Sequence, residues 1–180
     1  NYYHPILMNI MENNFKWPIS NNCDISVSKN VLWEAISDPF KLEIIKPHPY
    51  LKSYNIITWN ENDKVDELVY LNERKIIRTF SNWDEGNGYS LYTKDEEGKQ
   101  TKVVWEISSI DSNKSNLKIT LFMPYLQKYP LFVRWVPHFL FLRPQMKKYL
   151  NSVVNGFKHT ILTGEPTKRN QFGKHRWFSQ

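Results

Sequence analysis

The chain has a single cysteine in 180 residues, no apolar run approaching the length of a membrane-spanning helix, and no clustered histidines. Each shortage excludes something. With Cys23 alone, neither an internal disulfide framework nor a thiolate cluster for zinc or iron–sulfur can form. A lone thiol is compatible with a reducing compartment. A helix crossing a bilayer needs about 20 consecutive apolar residues, and none of the segments comes near that. Residues 1–15 lack the basic start and continuous apolar centre of a signal peptide. His4, His48, His138, His159 and His175 are scattered, with no pair at the i, i+4 spacing of helical ligands, so no metal site is expected. No serine sits in a nucleophile-elbow context, and Cys23 has no histidine neighbour in sequence. Gly86-Asn87-Gly88 precedes a strand rather than a helix, so it does not cradle phosphate and no nucleotide cofactor is expected. Internal repeats and low-complexity tracts are absent as well.

What is present is aromatic. Hydrophobic residues make up 41% of the chain and aromatics 15%, with seven Trp, ten Tyr and ten Phe. Rings of this size dominate the energetics of cores and pockets. A chain of this length can bury a core without staples and forms one ordinary domain. Net charge is +6. That suits an anionic membrane or a nucleic acid, but lysines and arginines alternate with acids along most of the chain, and no nucleic-acid reading module appears. A nucleic-acid partner is not expected.

Hydrophobic period divides the chain. Cys23–Val27 alternates as a half-buried strand. Val31–Ile36 reads as a short helix capped by Ser28 or Asn30, and Asp38-Pro39 opens a second that runs to about Lys46 and stops at Pro47-His48-Pro49. Strands follow at Tyr54–Trp59, Val65–Leu71, Lys75–Trp83, Tyr89–Thr93, Thr101–Ile110 and Leu117–Phe122, separated by short polar turns. Consecutive strands with short connections make an antiparallel meander, giving about seven strands in an α+β chain. The last helix opens at Arg143-Pro144 and carries Met146, Tyr149, Leu150, Val153, Val154, Phe157 and Ile161 on one stripe. Gly164 stands where a left-handed cap belongs, and Pro166 follows. From Pro144 to Thr163 the helix is about 30 Å long, enough to lie across a sheet.

This order, together with Asp24-Ile25-Ser26-Val27-Ser28, Val31-Leu32-Trp33-Glu34-Ala35-Ile36-Ser37-Asp38-Pro39, His48-Pro49, Trp83–Tyr89 and Val104-Trp105-Glu106-Ile107, resembles the START-like superfamily, also called SRPBCC or birch-pollen-allergen-like. The likeness covers residues 17–164. It implies a helix-grip fold: a curved antiparallel sheet wrapped around a long C-terminal helix, with two short helices after the first strand. Residues 1–16 are then an N-terminal extension and 165–180 a basic, aromatic tail. One stretch departs from the pattern. Met123–Leu142 inserts three prolines and a dense set of rings between the last strand and the long helix.

A helix laid across a curved sheet leaves space, and an apolar pocket of ligand size is expected there. Trp59, Tyr70, Arg78, Trp83, Tyr89, Trp105 and Phe122 on the sheet, Val153 and Phe157 on the helix, and Trp135 and Phe139 on the insert are the candidate ligand-binding residues. The plainer alternative is that the rings simply fill the space, and a one-residue slip in any strand reverses its face. Asp66, Glu67, Arg78 and Glu106 lie within strands and are expected to point to water; an inward one needs a partner. Gly156 inside the helix implies that something approaches the backbone closely, core packing before ligand. The insert reads as a lid, a partner interface, a membrane wedge or a packed plug. With Arg134, Arg143, Lys147 and Lys148 beside it, 131–142 suits contact with anionic lipid. In the tail, Phe172 and Trp177 are expected to pack back on the domain.

The resemblance implies binding or transfer of a hydrophobic small molecule (lipid, quinone or polyketide-like) without metal or cofactor, in the cytoplasm or at a membrane surface. Two alternatives stand beside it: a polyketide cyclase/aromatase-like enzyme, with inward Tyr, Arg, Asp or Glu placed for acid–base work, and a protein-interaction module with a filled cavity.

Overall fold

The computed structural model describes residues 16–124, 126 and 129–179. Seven strands form one antiparallel sheet: β1 (Ile19–Ile25), β2 (Leu51–Trp59), β3 (Lys64–Tyr70), β4 (Lys75–Asp84), β5 (Gly88–Asp95), β6 (Gln100–Asp111) and β7 (Lys114–Phe122). Their order is β1-β7-β6-β5-β4-β3-β2, so the meander runs from β2 to β7 and β1 closes against its last strand. Among the described residues three α-helices complete the fold: the short α1 (Lys29–Ser37) and α2 (Leu131–Pro137), and the long α3 (Arg143–Thr163).

Alternation sets the two faces of the sheet. Leu68 and Tyr70 of β3, Leu91 of β5, Val103, Trp105 and Ile107 of β6, and Leu117, Ile119 and Leu121 of β7 are buried on the concave side. They meet Met146, Leu150, Val153, Val154 and Phe157 of α3. The helix ends where Gly164 takes a left-handed turn (φ 73°) and returns its N–H to the Thr160 carbonyl at 2.8 Å. Ser28 caps α1, its side chain accepting from the Val31 amide.

One helix is missing from the expected pair. Residues 39–47 form successive turns instead. Asp38 does cap the Phe40 amide at 2.9 Å, but the bonds that follow are isolated, from Leu42 to Asp38, from Lys46 to Glu43 and from His48 to Ile44. Too few residues lie between Pro39 and Pro47 to repay helix nucleation, and burial of Ile44, Pro47 and His48 draws the backbone inward. That inward path explains Gly156. A Cβ there would lie 2.0 Å from the Pro47 carbonyl oxygen, so the close approach is by backbone rather than by a ring or a ligand.

Within Met123–Leu142, expected as an irregular or short helical segment, residues Leu131–Leu142 are helical and run into α3. After Pro137, residues His138–Leu142 form one π-helical turn, closed by the Arg143 amide bonding back to the His138 carbonyl. Pro137 lacks the N–H that would continue the regular ladder, and the wider turn absorbs the break. The helical path is therefore continuous from Leu131 to Thr163.

The tail packs on the sheet–helix body. The Thr167 amide bonds to the Lys46 carbonyl at 2.8 Å, and the Tyr50 hydroxyl donates to the Gly173 carbonyl at 3.0 Å. Phe178 and His175 are buried, with Trp177 and Phe172 half-buried. The stretch read as lacking a signal peptide, residues 1–15, lies outside the described residues, as do Tyr125, Gln127, Lys128 and Gln180.

Candidate functional site

Space between sheet and helix is divided unequally. At one end the rings win. Tyr89 stacks on Trp83 (centroids 5.1 Å, planes 11° apart) and on Trp105 (5.8 Å, 23°), while Trp33 and Phe80 meet this column at an angle. Trp59 adds an edge contact to Phe80 at 5.0 Å, and Phe157 meets Trp105 at 5.1 Å. Only a crevice of about 20 Å³ is left here, beside Trp59, Arg78, Tyr89 and Phe157. Trp83 faces a shallow external groove, with the Lys64 ammonium 4.7 Å over its ring.

At the other end a cavity of about 360 Å³ remains. Its wall is mainly apolar, including Ile76, Val103, Leu121, Met123 and Met146, and the tail contributes Phe178. Arg74, Asp95 and Lys99 mark its polar rim, where Arg74 and Asp95 pair at 2.7 Å. A second space of about 50 Å³ adjoins it deeper under α3, sharing Tyr70, Thr93, Val103, Leu121 and Tyr149 as walls. Of the candidate residues, Tyr70 lines both spaces, and Arg78, Trp105 and Val153 line the deeper one.

Three candidates are corrected. Phe122 is on the convex face beside Lys102, its register partner in β6, whose ammonium lies 5.9 Å from the ring. Leu121 takes the inward place instead, a slip of one residue. Trp135 is more than half exposed, because α2 turns its rings outward. Phe139 packs among Trp17, Trp135 and the Arg143 guanidinium rather than against the cavity.

The polar core is built by register. Asp66 and Arg78 are directly opposite on β3 and β4 and both face inward, against the expectation for strand charges; Glu67 and Glu106 stay on the outer side. The guanidinium holds both carboxylate oxygens, at 2.7 and 2.6 Å. Burial opposes the Arg78 charge, and the Asp66 carboxylate overcomes that and holds it. Each supplies the partner that the other's burial demands.

Beside this pair runs a hydrogen-bonded chain that the strand pattern did not reveal. The Tyr50 amide donates to His48 Nδ1 (3.3 Å), His48 Nε2 lies 3.1 Å from the Tyr149 hydroxyl, and that hydroxyl lies 2.8 Å from the hydroxyl of Tyr70. Burial, with Arg78 nearby, lowers the His48 pKa to about 3, so its ring is neutral. Burial raises both phenols, Tyr149 well above the ordinary tyrosine range. Tyr149 was visible in the apolar stripe of the helix. His48 was visible only as part of a His-Pro break.

Among the described residues no group of His, Cys, Asp and Glu is placed to hold a metal ion. No described helix is long and apolar enough to cross a membrane. The Cys23 thiol, half-buried against the Val154 carbonyl, is pushed up to about 11 by burial and is inert at neutral pH.

No family model matches the chain, and no curated protein does. Solved structures do. DynU16, a putative protein in the dynemicin biosynthetic locus, is 12% identical with a TM-score of 0.62, over 84% of this chain and 49% of its own; the chain thus spans about half its length. A START superfamily protein from Mycobacterium smegmatis is 12% identical with a TM-score of 0.57, over 81% of this chain and 97% of its own. The Zhui aromatase/cyclase from Streptomyces sp. R1128 is 12% identical with a TM-score of 0.56, over 84% and 99%. Identities this low speak for the fold alone. The chain has the helix-grip fold, which it shares with the START superfamily protein and the aromatase/cyclase.

Proposed function

We propose that this protein binds a hydrophobic small molecule, of lipid, quinone or polyketide-like character, in the cavity between the sheet and α3. The observation that carries this reading is the 360 Å³ apolar space left open where the aromatic column stops. That volume falls within the range of small-molecule sites. A pure interaction module has no use for it. The enzyme reading needs an acid or base free to act, whereas Asp66 and Arg78 are locked to each other and both ring nitrogens of His48 are engaged, by the Tyr50 amide and the Tyr149 hydroxyl. Native mass spectrometry after incubation with a mixed lipid extract tests the proposal. A one-to-one complex is the expected result, and bare protein alone overturns it.

Transfer, as distinct from storage, is supported by the segment that lies beside the cavity. Met123, Pro124 and Leu126 form part of its wall, and the chain leads from them into α2. Phe132, Leu140 and Phe141 are exposed by 79%, 63% and 64%. Residues 112–164 carry eight of the chain's 24 basic residues and none of its 18 acidic ones. This stretch therefore carries a net charge of +8, against −2 for the rest of the chain, and the charge mixing noted in the sequence does not extend into it. An apolar helix with basic flanks beside a pocket suits an anionic bilayer surface. The occupant of this face is lipid.

A further inference from the structure

His175 is the hub of the tail's last turn. Its carbonyl accepts from the amides of Phe178 (3.2 Å) and Ser179 (2.9 Å), and its own amide donates to the Ser179 hydroxyl at 2.9 Å. The residue is 1% exposed, and its ring ties that turn to α3. Nε2 lies 3.0 Å from the Gln145 carbonyl oxygen, and the Trp177 amide donates to Nδ1 at 3.2 Å. Both partners are backbone groups, so neither can exchange roles: a carbonyl only accepts and an amide N–H only donates. The ring is therefore held as the neutral tautomer with its proton on Nε2. An imidazolium carries a proton on Nδ1 as well, which would face the Trp177 N–H. A charged ring and a closed turn exclude each other.

Phe178 belongs both to that turn and to the cavity wall. It stacks on His175 (5.0 Å, planes 30° apart) and covers the space beside Tyr70 and Tyr149. We infer that the turn His175–Ser179 is a proton-operated gate: protonation of His175 opens the turn, lifts Phe178 from the wall and lets the bound molecule exchange. This rests on the cavity being a ligand site, as proposed above. The groups around the imidazole resist the proton while the turn is closed. From α3 come the Tyr149 phenol and the Lys148 ammonium, one helical turn beyond Gln145; from the stretch before β2 comes the Tyr50 phenol; Lys174 and Arg176 flank the ring in the tail. Burial, with Lys148 beside it, holds the His175 pKa below its ordinary 6.5. A surface bond from the Asn72 side chain to the Trp177 carbonyl (2.7 Å) also holds the turn and breaks with it. The earlier part of the tail is held separately, by the Thr167 amide on the Lys46 carbonyl and the Tyr50 hydroxyl on the Gly173 carbonyl, so the opening is confined to the last turn.

Falling pH favours the open form, because its imidazole titrates near 6.5 while the closed ring refuses the proton; from pH 7.5 to 5.0 the open population rises by up to about 30-fold. Hydrogen exchange on the full chain, corrected for its intrinsic pH dependence, reads this directly. Residues 174–179 should lose protection at least about tenfold at pH 5.0, while β6 and β7 keep theirs. In His175→Asn the side-chain oxygen still accepts from the amide two residues on but does not titrate, so protection of the turn should not change with pH. Equal protection of the native turn at both pH values, or the same pH-dependent opening in the variant, overturns the gate. Dissociation of N-phenyl-1-naphthylamine, an uncharged fluorescent probe, then tests what the gate controls. It should be at least about tenfold faster at pH 5.0 for the native protein and pH-independent for His175→Asn. A turn that opens while the probe leaves at one rate overturns the gate and leaves the cavity reading standing. Failure of the probe to bind at either pH overturns the cavity reading, and the gate with it.

Discussion

Asp66 and Arg78 face each other across β3 and β4, both buried, and together satisfy a demand that neither meets alone. Removing one partner should therefore cost more than removing both. Arg78→Met leaves a buried carboxylate and is expected to destabilise by about 3–5 kcal/mol, whereas Asp66→Leu with Arg78→Met should recover most of that loss. Urea denaturation of the three proteins checks the order; a double variant no more stable than the single contradicts it. His48 makes a pH prediction. Its ordinary value of 6.5 is lowered to about 3 in the fold by burial and Arg78. Between those values the unfolded chain takes a proton that the native ring refuses, so stability falls as pH falls from 6.5 towards 3. From pH 7 to pH 5 the loss from this residue is about 2 kcal/mol. His175 and His138 are shifted the same way, chiefly by burial. A native protein with flat stability over that range would contradict the assignment. At this scale the sequence was least informative. Alternation names two faces of a strand without saying which is inside; Phe122 and Leu121 are the case where that mattered, and Asp66 is the case where composition pointed outward and register pointed in.

Elements were more legible. Each strand of the meander, the long helix and its Gly164 cap follow from period and turn chemistry, because those signals are local. The second short helix failed because its fate was decided by tertiary burial of Ile44 and Pro47 rather than by its own cap. The join of α2 to α3 was hidden because Pro137 reads as a break and Arg143-Pro144 as a helix start, whereas a π turn between the two prolines carries the helical path through. The exposed rings of α2 carry their own prediction. In sedimentation with vesicles, binding to an equal mixture of phosphatidylcholine and phosphatidylglycerol should exceed binding to phosphatidylcholine alone by at least about tenfold. Phe132→Ser with Leu140→Ser should reduce both, without loss of fold, since the two side chains touch mainly solvent. Equal binding to both vesicles, or none, would contradict a lipid-facing role.

For the molecule as a whole, the grip was readable and the cavity was not. Aromatic content alone suggested either a lined pocket or a filled one, and the structure contains both: a stacked column under α1 and an open space under the first half of α3. The filled end took most of the tryptophans. The open end is walled by Ile, Leu, Met and Val, and closed by Phe178, whose ring lies 4.7 Å from Tyr70 and 4.5 Å from Tyr149. No local pattern connects a tail residue to a strand more than 100 positions earlier; that contact exists only in the folded chain. The open space is where the account is most exposed. Thr93 lines both of its parts and is half-buried, so Thr93→Trp places an indole in the cavity with little disturbance elsewhere. Native mass spectrometry of the two proteins after incubation with the same lipid extract is the direct measurement. The account predicts a one-to-one complex for the native protein and bare chain for Thr93→Trp; complexes of equal abundance in both, or in neither, would contradict it.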